Sequence, residues 1–270
     1  MEFQDFSEIF DHFKKTFCWE CDIDERTVFD IAKNNFERLS AGKTKNKFLL
    51  RLAGQSGSGK TTQLLPASNA LFEKHQMNPI HFAVREFAAL HPNYSEIVEK
   101  FGKKEMREKT NGFALKCLLV SLAFAIEQGY DILFEVTLLS HEFEDFVLNL
   151  LSKNNYNALF FMLAVNKEIS NIFIECRKSA SSGSEANRVV YKSSSNYFDI
   201  AISDDVEYFS KAHGDFHVVI WNAYNFLPVF DGKFKDCQSK FFEAKKITSH
   251  EFADEQQLRD AKIDYVLKHF

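Results

Sequence analysis

Apolar and polar residues recur along the chain with two different spacings, and these spacings predict its helices and strands. Near the N-terminus, Phe3, Phe6, Ile9, Phe10 and Phe13 follow a helical spacing and would share one helix face. Short runs that are almost wholly apolar, such as "FLLRLAG" and "ALFFMLAV", are instead typical of buried strands. The chain therefore begins with helix and changes to a mixed pattern near residue 48.

From residue 48 onward, predicted strands and helices alternate, as they do in a parallel sheet with helices on both faces. The predicted strands cover 48–54, 79–84, 131–136, 158–165, 216–221 and 226–230. The predicted helices cover 25–39, 60–75, 104–128, 141–154, a segment from 167, and 252–270. The small polar stretch "SASSGSEAN", residues 179–187, predicts a mobile loop.

The fold class predicted from this pattern is α/β, a mostly parallel sheet flanked by helices, with helical N- and C-terminal additions. We place a helical N-terminal extension at 1–45, one α/β domain at 46–235 and a helical C-terminal extension at 236–270. The apolar face of the N-terminal helices is expected to pack against the sheet.

Composition and charge restrict the partners and the compartment. A net charge of −5 disfavours a general nucleic-acid binder, so no nucleic-acid partner is predicted. The N-terminus lacks a secretory signal and no apolar run is expected to span a bilayer, so a cytoplasmic protein without a membrane partner is predicted. The five cysteines are scattered, and Cys18 and Cys21 lack the second pair that a zinc site would need. That CxxC is interpreted as a feature of a helix turn.

The strongest chemical signal is "GQSGSGKTT", which satisfies the GxxxxGK[ST] pattern of a phosphate-binding loop. An apolar strand precedes it and a helix-forming stretch follows it, which is the expected context. Glycines let the backbone N–H groups turn inward, and the helix N-terminus adds positive potential toward an anion. Lys60 would lie between the β- and γ-phosphates of ATP, and the Thr61 hydroxyl would bind Mg²⁺. The predicted nucleotide-binding residues are Gly54, Gln55, Ser56, Gly57, Ser58, Gly59, Lys60, Thr61 and Thr62.

Two motifs that other phosphate-loop proteins carry are missing from the sequence, and this narrows the class of phosphate-loop protein. GTPases read their base with NKxD, whereas the chain has "NKEI" from Asn166. An apolar run that ends in aspartate, typical of motor ATPases, is not found in the sequence. A P-loop kinase of small substrates is the class that remains.

Four segments, in order, resemble the zeta toxin family, a family of P-loop kinases that phosphorylate a sugar hydroxyl of UDP-N-acetylglucosamine. The resemblance covers about residues 48–196. It is carried by "GQSGSGKT", "REFAALHPNY", "YDILFEVTLL" and "LAVNKE", the last followed by Arg177 and Arg188.

The resemblance implies a role for each matched residue. Arg177 and Arg188 would neutralise charge on the transferred phosphoryl group, and Lys60 would be catalytic through its contact with the phosphates. His91, Glu135 and Thr137 would bind the acceptor sugar. Arg85, which does not match the family, is predicted to bind the substrate through its charge. ATP and Mg²⁺ would be the cofactors, a nucleotide sugar the substrate, and a small antitoxin protein the partner. As the alternative to packing on the sheet, the N-terminal helices would form an antitoxin-like segment within the same chain.

Three positions depart from the family's pattern. Arg85 stands where the family has the aspartate that acts as general base, and a guanidinium cannot accept a proton. Glu86, the next residue, is the predicted catalytic carboxylate and would take the role of the base if the strand end shifts or bulges. In a rigid extended strand its side chain would face the opposite side. Val136 replaces a glycine, and Leu139 replaces a substrate-binding arginine.

Three interpretations therefore stay open. In the first, the chain is a UDP-N-acetylglucosamine kinase and a toxin. In the second, it is a nucleotide-binding protein that has lost catalysis and acts by interaction. In the third, it is a kinase of another anionic acceptor, whose charge Arg85 binds.

Overall fold

The computed structural model of the chain describes residues 2–16, 21–135, 141–180, 192–247 and 254–270. Within them the α-helices are α1 (Phe3–Thr16), α2 (Glu25–Ser40), α3 (Leu65–Lys74), α4 (Val84–Ala88), α5 (Tyr94–Glu127), α6 (His141–Lys153), α7 (Lys167–Ala180), α8 (Lys192–Ala212), α9 (Gln238–Lys245) and α10 (Glu255–His269). The strands are β1 (Phe48–Gly54), β2 (Ile80–Ala83), β3 (Ile132–Glu135), β4 (Asn157–Ala164), β5 (His217–Asn222) and β6 (Phe230–Lys233). A π-helical turn, Lys60–Leu64, precedes α3.

The strands form one sheet in the order β2-β3-β1-β4-β5-β6. Strand β5 runs parallel to β4, with Phe161 opposite Val219, and antiparallel to β6, with Val219 opposite Asp231. Helices flank this mostly parallel sheet, which confirms the predicted fold class. The neighbouring strands β3 and β1 end on Glu135 and Gly54, respectively.

The chain divides into two compact units. Unit 1 comprises Met1–Phe48, Pro79–Ile132 and Ser140–Asn157, and unit 2 comprises Leu49–Asn78, Leu133–Leu139 and Ala158–Phe270. The three-part division predicted from the sequence stays a prediction.

Unit 1 is held together by phenylalanine side chains from its helices. The Phe6 ring lies 5.5 Å from that of Phe29 and 5.6 Å from that of Phe124, and Phe36 stacks on Phe124 at 5.6 Å. Phe13 reaches Phe143 of α6 at 6.3 Å. Aromatic side chains bury large areas and prefer such edge and offset contacts. Within unit 1, the apolar face of α1 and α2 therefore packs on helices α5 and α6, whereas the sequence predicted the sheet as its partner.

Helix α5 begins ten residues earlier than predicted and is broken at Gly102, where φ is +71°. Its stretch Glu105–Glu127 is long and apolar enough to span a bilayer, contrary to the expectation from the sequence, but 89% of its most apolar window is buried inside the protein. Burial of this kind is typical of a core helix. The cytoplasmic location stays a prediction.

Helix α10 packs on α3 within unit 2, and basic side chains in or next to these helices donate to main-chain carbonyls. Lys74 Nζ lies 2.7 Å from the Leu267 oxygen, and His75 Nε2 lies 2.8 Å from the Phe270 oxygen. Lys262, which is fully buried, donates to the Asn225 oxygen at 2.9 Å. Burial disfavours the charged ammonium and lowers the pKa of Lys262 to about 8.

The pKa of Lys262 makes the free energy of unfolding depend on pH. Between about pH 8, the folded value, and 10.5, the ordinary value, the unfolded chain binds more protons than the folded chain. The free energy of unfolding should therefore rise with pH in that window, by about 2 kcal/mol relative to a Lys262→Met variant. Urea denaturation of both proteins at pH 7 and pH 10 measures this difference. The variant also controls for tyrosine and cysteine ionisation, and parallel pH curves would contradict the prediction.

Candidate functional site

The loop after β1 turns sharply and uses glycines where the backbone requires them. Gly57 has φ +80° and Gly59, which caps the following helical turn, has φ +98°. A Cβ on Gly57 would lie 2.6 Å from the Ser170 carbonyl oxygen and 2.9 Å from Ile174 Cγ1. Such contacts are impossible for a side chain, so both the conformation and the close approach of α7 demand glycine at residue 57.

Lys60 lies at the start of the π-helical turn and reaches back across the loop. Its Nζ donates to the Gly54 carbonyl oxygen at 2.5 Å and to that of Gln55 at 3.0 Å. The side chain is half-buried. The ammonium therefore lies on the loop itself, where a phosphate chain bound by the loop amides would meet it.

Thr61 and Glu135 are brought together from segments at the ends of two neighbouring strands. The Thr61 hydroxyl donates to Glu135 Oε1 at 2.7 Å, and Glu135 is only 8% exposed. The carboxyl ends of neighbouring parallel strands meet at one edge of the sheet, where α/β proteins bind ligands. The sequence predicted Thr61 as a Mg²⁺ ligand and Glu135 as a sugar ligand, but gave no sign that the two side chains touch.

The remaining loop residues are largely enclosed. The Ser58 hydroxyl is buried and has no hydrogen-bond partner among the described residues, and Gln55 is 1% exposed. Thr62 is exposed and its hydroxyl donates to the Gly59 carbonyl oxygen at 3.2 Å.

These residues fit a magnesium-bound nucleoside triphosphate. The loop amides, Lys60 and the orphaned Ser58 hydroxyl are donors suited to phosphate oxygens. The Thr61 hydroxyl and the Glu135 carboxylate are hard oxygen ligands of the type that Mg²⁺ prefers. Lys60 and Ser58 would hold the phosphates, and Thr61 and Glu135 would hold the metal, whose charge would offset that of the phosphates.

Sequence reasoning missed a contact between the loop and α7. The Ser170 hydroxyl donates to the Ser56 carbonyl oxygen, and Ser170 is fully buried. A serine in the first turn of a helix carries no signal of such a contact. The only sequence sign is Gly57, which the phosphate-loop pattern does not require.

Arg85, Glu86 and His91, three of the residues predicted on the acceptor side, lie in unit 1. The sequence predicted Arg85 and Glu86 at a strand end. Strand β2 instead ends at Ala83, and both residues lie in the short helix α4. Both side chains are exposed, while Phe87 is buried and stacks on Phe82 at 6.0 Å. Side chains of adjacent helical residues point about 100° apart. The expectation that Glu86 faces the opposite side from Arg85, as in an extended strand, is therefore wrong.

His91 is buried and both of its ring nitrogens have partners within unit 1. Nε2 lies 3.0 Å from Asp22 Oδ1, and the Asn93 backbone N–H donates to Nδ1 at 3.2 Å. Because Nδ1 accepts from Asn93, Nε2 is the ring nitrogen that donates to Asp22. His91 therefore ties the segment before α5 to the one before α2, and its role in sugar binding stays a prediction.

Several other predicted residues fall partly or wholly outside the described part of the chain. Thr137 and Arg188 lie outside it, as do Val136, Leu139, Cys18 and most of the predicted loop at 179–187. Arg177 lies in helix α7, but its side chain is not among those described. Cys21 is a half-buried free thiol, and burial raises its pKa, which makes it less reactive.

The sequence matches a known family over most of its length. The profile of the zeta toxin family matches residues 33–232, which include the phosphate loop, β3 and α7. The chain belongs to the zeta toxin family.

Individual zeta toxins are similar over a shorter stretch. Toxin PezT of Streptococcus pneumoniae is 28% identical over 138 residues, which are 50% of this chain and 53% of that toxin. Toxin zeta of Streptococcus pyogenes is 27% identical over 136 residues, which are 50% of this chain and 46% of the toxin. The chain thus spans about half the length of the curated relatives that it matches.

A solved structure from the PezAT chromosomal toxin–antitoxin system of Streptococcus pneumoniae has the same fold. It superposes with a TM-score of 0.65 and 20% identity, and covers 92% of this chain and 98% of the other. At that identity the likeness concerns the fold alone. It covers a larger share of this chain than the family profile does.

Proposed function

We propose that this zeta toxin family member is an ATP-dependent kinase that phosphorylates a sugar hydroxyl of UDP-N-acetylglucosamine. The observation that carries the proposal is the contact between Thr61 and Glu135 next to the Lys60 loop, because it pairs a triphosphate cradle with a metal-binding oxygen pair. Phosphoryl transfer depends mainly on positioning and charge compensation, which such a site supplies.

Each residue has a proposed part in this reaction. Lys60 and the loop amides bind and orient the β- and γ-phosphates, and Arg177 and Arg188 neutralise charge that develops on the transferred group. Glu86 accepts the proton of the acceptor hydroxyl, since Arg85 cannot. Glu135 has two candidate partners, the metal beside Thr61 and the acceptor sugar.

A second function is favoured by a specific observation. Arg85 occupies the position of the family's catalytic aspartate, and its exposed neighbour Glu86 lies in helix α4. The second candidate is therefore a nucleotide-binding protein without phosphoryl transfer, or a kinase of another anionic acceptor that Arg85 binds. The structurally similar protein comes from the PezAT toxin–antitoxin system. A small antitoxin protein is therefore the proposed partner, whether or not this chain transfers phosphate.

A phosphoryl-acceptor assay tests the proposal. Purified protein is incubated with labelled ATP, Mg²⁺ and UDP-N-acetylglucosamine, and other anionic alcohols are supplied in parallel. We expect one phosphate to be transferred to the nucleotide sugar, and Glu86→Gln to lower the rate by about 100-fold or more. Lack of transfer to UDP-N-acetylglucosamine would refute the proposed acceptor. Transfer to another alcohol would then support the third interpretation, and nucleotide binding without any transfer would support the second.

A further inference from the structure

Helix α7 and the phosphate loop are joined by a buried hydrogen bond between the Ser170 hydroxyl and the Ser56 carbonyl oxygen. Ser170 lies in the first turn of α7, where its own N–H donates to the Asn166 carbonyl oxygen at 3.0 Å. The helix thus fixes the position of the hydroxyl. Both residues belong to unit 2.

Donors that hold the carbonyl groups of the phosphate loop fix the directions of its peptides. The carbonyl oxygens of Gly54 and Gln55 accept from Lys60, and that of Gln55 also accepts from the Ser58 N–H at 3.1 Å. The Ser56 carbonyl oxygen accepts from Ser170. Each of these three consecutive carbonyl groups is therefore held by a donor.

A held carbonyl fixes the N–H on the other side of the same peptide. In a trans peptide the C=O and N–H bonds point in opposite directions. The carbonyl of Ser56 and the N–H of Gly57 belong to one peptide, and no peptide bond among the described residues is cis. By holding the Ser56 oxygen toward α7, Ser170 turns the Gly57 N–H away from α7.

The close approach at Gly57 supports this coupling independently. A Cβ there would come within 3.0 Å of both the Ser170 backbone and the Ile174 side chain. The loop and α7 are therefore in van der Waals contact over one helical turn. A rotation of the Ser56–Gly57 peptide would need α7 to move.

We propose that Ser170 is a positioning residue for nucleotide binding, which orients the Gly57 amide toward the phosphates through the Ser56 carbonyl. This inference rests on the proposed function, since it requires that the loop binds a polyphosphate. It also links the loop to Arg177, which lies seven residues, or about two helical turns, beyond Ser170 in α7.

Isothermal titration calorimetry of the full chain with Mg-ATP and with inorganic tripolyphosphate tests the inference. Ser170→Ala removes the donor, and Ser170→Cys keeps a side chain of similar size with a weak donor. The loss of one buried hydrogen bond predicts about three- to tenfold weaker binding for the alanine variant, with the cysteine variant between it and the wild type. The loss should be equal for ATP and tripolyphosphate, because the oriented amide contacts only phosphates.

Ser210→Ala is the matched control. Ser210 lies in α8 of the same unit, and its hydroxyl donates to the Glu207 carbonyl oxygen at 2.8 Å in an exposed hydrogen bond. This variant should bind both ligands as the wild type does. Wild-type affinity in Ser170→Ala, or a loss confined to ATP, would overturn the inference while the proposed function stands. If the wild type bound neither ligand, the proposed function and the inference would both fall.

Discussion

Lys60→Ala is expected to weaken Mg-ATP binding by at least about tenfold and to lower phosphoryl transfer by about 100-fold or more. The ammonium lies across the loop, 2.5 Å from the Gly54 oxygen and 3.0 Å from the Gln55 oxygen. The ammonium would contact phosphate oxygens, whose negative charge is redistributed during phosphoryl transfer. Its removal leaves that charge uncompensated and also leaves two loop carbonyls without this donor. Calorimetry measures the affinity, and the acceptor assay measures the rate.

Two variants make the Lys60 result specific. Lys60→Arg keeps the charge but not the compact ammonium, so it should restore little of the transfer rate. Lys74→Ala removes another lysine of unit 2 whose ammonium donates to a main-chain carbonyl, that of Leu267 at 2.7 Å. That variant should bind and react as the wild type does. Near-normal Mg-ATP affinity and transfer in Lys60→Ala would show that the loop does not hold the phosphates.

The phosphate loop could be predicted because its physics is local. Glycine at residue 59, lysine at 60 and a hydroxyl at 61 act within one turn of chain, and an apolar strand before them is visible in the sequence. The alternation of strands and helices was predictable for the same reason, since buried strands and amphipathic helices have different spacings. Helix α10 was predicted close to its observed bounds.

Contacts between distant segments could not be predicted from these patterns. Ser170 meets Ser56 across 114 residues, and His91 meets Asp22 across 69. The phenylalanine face of α1 predicted burial but could not show whether a sheet or helices would cover it. The sequence extended strand β2 to Val84, whereas helix α4 begins there and Phe87 packs on Phe82, a contact that depends on tertiary structure.

The structure raises a question about Glu135 that a substitution can answer. The resemblance to zeta toxins implies that this carboxylate binds the acceptor sugar, whereas its 2.7 Å contact with the Thr61 hydroxyl places it where Mg²⁺ would bind. Glu135→Gln keeps an oxygen that can accept from Thr61 but removes the negative charge. The fold around Thr61 should therefore survive, and the effects on metal and acceptor can be compared separately.

We expect Glu135→Gln to lower phosphoryl transfer by about 100-fold and to raise the Mg²⁺ concentration needed for tight ATP binding by about tenfold. The KM for the acceptor should stay nearly unchanged, because the lost charge acts on the metal. Calorimetric titration of ATP at several Mg²⁺ concentrations measures the metal dependence without any need for turnover. Glu168→Gln, an exposed carboxylate in the first turn of α7, is the control and should change neither quantity. A rise in acceptor KM with unaltered Mg²⁺ dependence would instead assign Glu135 to the sugar, and the pairing with Thr61 would then serve only to fix the direction of the carboxylate.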